Sequence, residues 1–128
     1  LLLRHVFHPT FPWGLPGGWL NRHEDPAVGA LRELWEETGL TAVLGPVVLI
    51  QRENFPSHLA MAYLAYEPAN SLKLSNEIIE AVWTDLDRLP KLLPFTQKVI
   101  EKAAILYNSW TETAVIPHPS LQNHKGRE

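Results

Sequence analysis

Residues 18–40 read Gly-Trp-Leu-Asn-Arg-His-Glu-Asp-Pro-Ala-Val-Gly-Ala-Leu-Arg-Glu-Leu-Trp-Glu-Glu-Thr-Gly-Leu, and the reading of the whole chain turns on them. Asp25 followed by Pro26 is a helix start: the aspartate side chain accepts from a free first-turn amide, and proline is preset for the first helical position. Gly39 is the matching stop, suited to the left-handed residue after a last turn. Between them Ala27, Val28, Leu31, Leu34 and Trp35 recur at helical spacing and predict one apolar face, with Trp35 expected in the core. Gly29 is the misfit, because glycine inside a helix costs about 1 kcal/mol relative to alanine. Close packing against another element accounts for it.

The opposite face carries the chemistry. With each residue advancing about 100° and Glu33 taken as zero, Glu37 falls at about 40° and Glu36 at about 300°, whereas Leu34, Leu31 and Trp35 occupy about 100° to 200°. Three carboxylates therefore converge away from the apolar side. Like charges at this spacing weaken an isolated helix. A hard divalent cation removes the conflict, since Mg²⁺ takes oxygen ligands, keeps several waters and is commonly completed by substrate phosphates. Just upstream, Gly17-Gly18 lets the backbone approach a metal or a pyrophosphate closely. A merely solvated acidic face is the competing reading of the carboxylates taken alone.

Taken with their spacing, these residues resemble the Nudix box, Gly-x5-Glu-x7-Arg-Glu-U-x-Glu-Glu-x-Gly-U with U aliphatic, and every specified position is filled. A chance match to the seven fixed identities is about a one in 10⁸ event per window. The box covers 23 of 128 residues, and softer similarity runs from Leu1 through Trp13-Gly-Leu-Pro-Gly-Gly18 to Leu93-Pro94-Phe95. The resemblance implies an α/β fold, a Nudix-type α/β/α sandwich with a mixed β-sheet and a catalytic loop-helix-loop. It also implies Mg²⁺-dependent hydrolysis, with Mn²⁺ as a substitute, of a nucleoside diphosphate linked to another moiety. By the same resemblance Glu36 and Glu37 are the principal metal ligands, and Glu33 is a further ligand or the water-activating base. The Gly18 carbonyl is a backbone ligand, Arg32 orients Glu33, and Glu24 is its partner across the loop. An additional acid from a distant loop falls on Glu77 or Glu80, with Glu77 preferred because Ser75-Asn76-Glu77 reads as a turn. His23 stands where many relatives have glycine.

Arg4, at the end of a strand, resembles an arginine that touches substrate phosphate in some relatives; a plain surface arginine is the alternative. Trp19 either stacks on a base or ribose or packs within the loop. His5, His8, His23 and His58 lack metal-ligand spacing and read as surface or satisfied histidines. Pro56, sixteen residues after Leu40, is reminiscent of the subgroup that hydrolyses ADP-ribose, so ADP-ribose or a nucleotide sugar is the favoured substrate. Nucleoside triphosphate (MutT-like) or dinucleoside polyphosphate hydrolysis and a non-catalytic nucleotide-binding module are the alternatives.

Outward from the box, Leu1–Phe7 reads as a strand and residues 8–25 as a shaped loop rich in Pro, Gly and large apolar residues. Thr41–Leu44 and Val47–Arg52 read as two strands around a Gly45-Pro46 break, His58–Glu67 as a longer strand and Glu80–Asp85 as a short one. Pro94–Asn108 reads as a second helix, with Val99, Ile100, Ala103, Leu106 and Tyr107 on one side. A single domain over 1–116 with a loosely ordered tail over 117–128 is expected.

Composition closes off other classes. The chain has no cysteine, which excludes thiolate metal sites, thiol nucleophiles and disulfide scaffolds. A net charge of −3 offers no basic field for a nucleic acid polymer. The uncharged stretches are broken by Pro and Gly, so no membrane span is expected. With no secretory leader in view, the expectation is a cytoplasmic enzyme acting on a small nucleotide, with a homodimer left open. The opening on Leu1, inside an apolar run, reads as the interior of a longer native sequence.

Overall fold

The computed structural model describes residues 1–7, 10–54 and 56–113. His8 and the expected tail over 117–128 lie outside the described residues. In chain order the elements are β1 (Leu2–His5), β2 (Trp13–Gly14), α1 (Pro26–Thr38), β3 (Thr41–Asn54), β4 (Ser57–Ala69), β5 (Ile78–Val82) and α2 (Pro94–Thr113), with a 3₁₀ turn at Leu86–Arg88 before α2. Strand β1 lies between β2 and β5, and β3 pairs with β4 in a separate long ribbon. The α/β class holds, and the strand pairings among the described residues are all antiparallel.

Helix α1 begins and ends where its punctuation predicts. Asp25 accepts from the Ala27 amide, Pro26 opens the helix, and Gly39 closes it at φ 72° with its own amide donating to the Trp35 carbonyl. Beyond Gly39 the chain runs straight into β3. The predicted break at Gly45-Pro46 is instead a bulge within one strand: Leu44 faces Ala65 and Val47 faces Tyr63, so β3 carries one more residue than β4 across that step. A bulge absorbs the proline, which cannot donate to the ladder, without ending the strand. Strand β5 begins two residues earlier than expected, at the β-branched pair Ile78-Ile79. Helix α2 continues past Asn108 to Thr113.

The core gathers Leu2 and Leu3 of β1, Leu40, Tyr66, Ile78, Leu92 and Val99. Thr38, at the end of α1, is fully buried with its hydroxyl satisfied twice, donating to the Leu34 carbonyl and accepting from the Leu40 amide. Carbonyls that a helix terminus leaves without internal partners are taken by the following segment. Lys73 donates to the Thr38 carbonyl at 2.7 Å and Ser75 to the Glu37 carbonyl at 3.0 Å, while the Val6 amide donates to the Glu77 carbonyl at 3.0 Å. The carboxylate end of α1 is thereby tied to the 73–77 segment and, through it, to the end of β1. Among the described residues no helix is long and apolar enough to cross a membrane.

Candidate functional site

The site is organised by one guanidinium. Arg32 grips Glu24 with two parallel bonds, Nε to Oε2 at 2.7 Å and Nη2 to Oε1 at 2.9 Å. Its Nη1 donates to both Glu33 Oε1 and Glu36 Oε2, each at 2.9 Å, and Nη2 also reaches the Trp19 carbonyl at 3.0 Å. Only a planar, permanently charged fork can serve this many oxygens at once. The Arg32 bonds, with the Asn21 amide, hold the Glu24 carboxyl below its ordinary range. Glu24 and Glu33 in turn raise the Arg32 pKa further.

The loop before α1 is moulded onto the helix where side chains are missing. A Cβ on Gly18 would lie 2.6 Å from the Glu33 carboxyl carbon, and one on Gly29 would lie 2.4 Å from a Leu20 methyl and 2.9 Å from Glu24 Oε1. Gly29 is thus the price of letting residues 20–24 cross the helix, as its misfit suggested. His23, which fills the position held by glycine in many relatives, adopts φ 65°, so the loop keeps a left-handed bend there.

The carboxylates are not equally wet. The Glu36 side chain is 54% exposed and that of Glu33 17%, while Glu37 is only 6% exposed. This overturns the picture of a solvated acidic face behind a buried apolar one. Val28 and Trp35, expected to be covered, are 58% and 54% exposed, and the more deeply buried helix positions are Gly29, Glu37 and Thr38. The physical reason is that the loop and the 73–77 segment pack on the acidic side. Glu37 Oε1 accepts from the Gly17 amide at 2.7 Å. Burial nevertheless pushes its carboxyl from the usual 4.5 up to about 7; that amide opposes the rise, and Glu33, Glu77 and Glu36 reinforce it.

A buried carboxylate among three other acids is a site short of positive charge, and its donors are hard oxygens only. By charge and donor type the residues fit a divalent cation. Among the described residues no three acids or histidines already converge as a cage, and Arg32 Nη1 is bonded to both Glu33 and Glu36.

The remaining candidates divide. Glu77 belongs to the segment bonded to the end of α1 and acts electrostatically on Glu37. Glu80 lies on β5 opposite Arg4, so the turn acid is the one brought to the helix. Arg4 is exposed on β1, with Trp13 of β2 as its partner on the other side. Trp13 is half-buried. Trp19 is exposed, and its ring meets His58 from the start of β4 with centroids 4.8 Å apart. His58, read from the sequence as a surface or satisfied histidine, is bonded to the Pro56 carbonyl, but no spacing in the sequence signals its ring contact with a position so far away. The Trp19 carbonyl escaped notice for a related reason, since a backbone group leaves no mark in residue identity; the Gly17 backbone was expected at the site, but toward a metal or pyrophosphate and not toward Glu37.

Acid-rich helix, bidentate arginine and glycine bend together make an arrangement suited to cations and phosphates. A Nudix domain profile matches residues 1–103, which include every candidate residue. The RNA pyrophosphohydrolase of Roseobacter denitrificans is 45% identical over 47 residues, 37% of this chain and 29% of that protein. That of Brucella ovis is 58% identical over 31 residues, 24% of this chain and 17% of the relative. These matches span less than a third of the curated relatives' length. Among solved structures, a MutT NUDIX hydrolase from Burkholderia pseudomallei superposes with TM-score 0.69 at 27% identity, covering 79% of this chain and 84% of that one. The MutT protein from Methanosarcina mazei Go1 does so with TM-score 0.68 at 28% identity, covering 83% of each. The chain belongs to the Nudix family, whose hydrolases act on phosphoric anhydrides and generally use divalent metal ions.

Proposed function

We propose that this chain is a pyrophosphohydrolase that cleaves a phosphoric anhydride bond of a nucleotide with the help of Mg²⁺, or of Mn²⁺ in its place. The observation that carries the reading is the single guanidinium bonded to Glu24, Glu33 and Glu36 while the Gly17 amide holds Glu37. Glu36, Glu37 and the Gly18 carbonyl would hold the cation, with Glu77 as the additional acid. A bound divalent ion supplies charge neutralisation of the phosphates and a lowered pKa for attacking water. Glu33 takes the proton of that water or serves as a further ligand. Arg32 acts through Glu33 by fixing its carboxylate, and Glu24 fixes Arg32 in turn. The absent side chain of Gly18 leaves room for the Glu33 carboxylate at the reacting centre. Arg4 is the candidate contact to substrate phosphate.

For the substrate, the curated relatives bear the name RNA pyrophosphohydrolase, which favours a 5′-polyphosphate, free or at an RNA end, over ADP-ribose. Pro56, the feature behind the ADP-ribose expectation, lies in the β3–β4 turn and its carbonyl bonds to His58 Nδ1, a role any turn proline fills. A net charge of −3 suits recognition of a terminus better than of a long polymer. The test is a panel assayed with excess Mg²⁺: ATP, a 5′-triphosphorylated RNA oligonucleotide, ADP-ribose and a dinucleoside polyphosphate. Turnover of one of the first two ahead of the others is expected. Faster cleavage of ADP-ribose would restore the earlier preference, and no turnover of any would point to a binding module.

A further inference from the structure

We infer that Trp19 and His58 together form a nucleobase subsite at the rim of the carboxylate cluster, an inference that rests on the pyrophosphohydrolase reading above. A tryptophan placed only for packing hides its large apolar ring, yet Trp19 is 62% exposed. It is exposed without being loose. Its carbonyl is bonded to Arg32 at 3.0 Å, and its ring meets the His58 ring at 63° in an edge arrangement. An edge-on neighbour covers at most one face of an indole, so a flat aromatic surface is held in place and left to solvent.

Position supplies the second half of the argument. Trp19 directly follows Gly18, where an added Cβ would lie 2.6 Å from the Glu33 carboxyl carbon, so the tryptophan is anchored one residue from the proposed reacting centre. His58 arrives from the β3–β4 hairpin, a different part of the chain. Its Nδ1 bonds to the Pro56 carbonyl; a carbonyl only accepts, so Nδ1 carries the proton and Nε2 of the neutral ring is an acceptor. A rigid π-surface beside a hydrogen-bond acceptor matches a nitrogen heterocycle, and each nucleobase offers a stacking face while adenine, guanine and cytosine also offer an amino group. The base could belong to a mononucleotide or to the first residue of an RNA; the recognition chemistry is the same.

The probe is AMP, which carries the base without an anhydride, compared with ribose 5-phosphate, which lacks the base, each titrated calorimetrically in EDTA. Wild type should bind AMP at least about fivefold more tightly than ribose 5-phosphate, the smallest effect expected of one stacked base. Trp19→Leu and His58→Ala should each lose that preference, Trp19→Phe should keep most of it, and unfolding midpoints verify that the variants fold. A 5′-monophosphorylated RNA trinucleotide binding more tightly than AMP assigns the base to an RNA end; equal affinity assigns it to a mononucleotide. Equal binding of AMP and ribose 5-phosphate by wild type, no AMP binding at millimolar concentration, or unchanged preference in both loss variants would overturn the subsite. Because this titration needs neither metal nor turnover, its failure is separable from failure of the hydrolysis panel.

Discussion

Replacing Glu37 by glutamine should strengthen the metal-free fold while removing the function. Glutamine keeps the size of the side chain and an oxygen to accept the Gly17 amide, but it cannot ionise. In the folded protein burial raises the Glu37 carboxyl from 4.5 to about 7, whereas the unfolded chain returns it to the ordinary value. The folded state therefore binds the proton more tightly. Stability is unaffected by this group below pH 4.5, declines as pH rises through the interval, and carries the full penalty above about 7. Unscreened, that interval would correspond to about 3 kcal/mol; solvent screening in a partly open cluster reduces it to about 1 to 2 kcal/mol, a shift of about 5 to 10 °C in melting temperature for a domain of about 100 residues. The assay is urea unfolding of both proteins in EDTA from about pH 4.5 to 8.5. The curves should coincide at the acid end and separate in favour of Glu37→Gln at the alkaline end. Added Mg²⁺ should then stabilise wild type and not the variant. Parallel pH profiles in EDTA would refute the claim that burial of this carboxylate destabilises the metal-free fold.

Arg32→Lys should reduce kcat about 10- to 100-fold in the hydrolysis assay, as loss of a supporting partner does in metal sites, because an ammonium cannot hold three carboxylates in one plane; activity within twofold of wild type would deny the positioning role. His23→Gly should raise the unfolding free energy by up to about 1 kcal/mol, read as a higher urea midpoint at unchanged m-value, since φ 65° is strained for any residue with a Cβ; a lower midpoint would mean that the His23 side chain itself supports the loop. Gly29→Ala sets helix propensity, a gain of about 1 kcal/mol, against a Cβ 2.4 Å from Leu20. Overpacking costs about 1 to 3 kcal/mol, so net destabilisation is expected in thermal melts, and a higher melting temperature would contradict the close crossing of residues 20–24.

Helix α1 was legible because its start, stop and spacing are written locally: Asp25-Pro26, Gly39 and the glutamate periodicity each act within a few residues. The same locality explains what was misread. A helical wheel says that Glu33, Glu36 and Glu37 share a side with one another and Val28 with Trp35, but not which side the rest of the chain will cover. Burial of Glu37 and exposure of Trp35 depend on contacts with Gly17 and with the 73–77 segment, distant in sequence. Gly45-Pro46 is a strong local breaker, yet the extended pairing of β3 with β4 overrode it through a bulge. The pairing of Arg32 with Glu33 and Glu24 was expected from the family resemblance and its bonds to Glu36 and the Trp19 carbonyl were not; the Trp19–His58 contact has no sequence signal because it joins a loop to a distant strand by tertiary packing.

Glu36 and Glu37, with the Gly18 carbonyl, are the proposed seat of a divalent cation, and a Mn²⁺ titration followed by electron paramagnetic resonance at mildly alkaline pH tests that assignment most directly. Wild type should deplete the free Mn²⁺ signal, and Glu36→Gln should bind more than about tenfold more weakly, since even a supporting residue is worth that much. Equal Mn²⁺ binding by the two proteins, or none by wild type, would contradict the assignment.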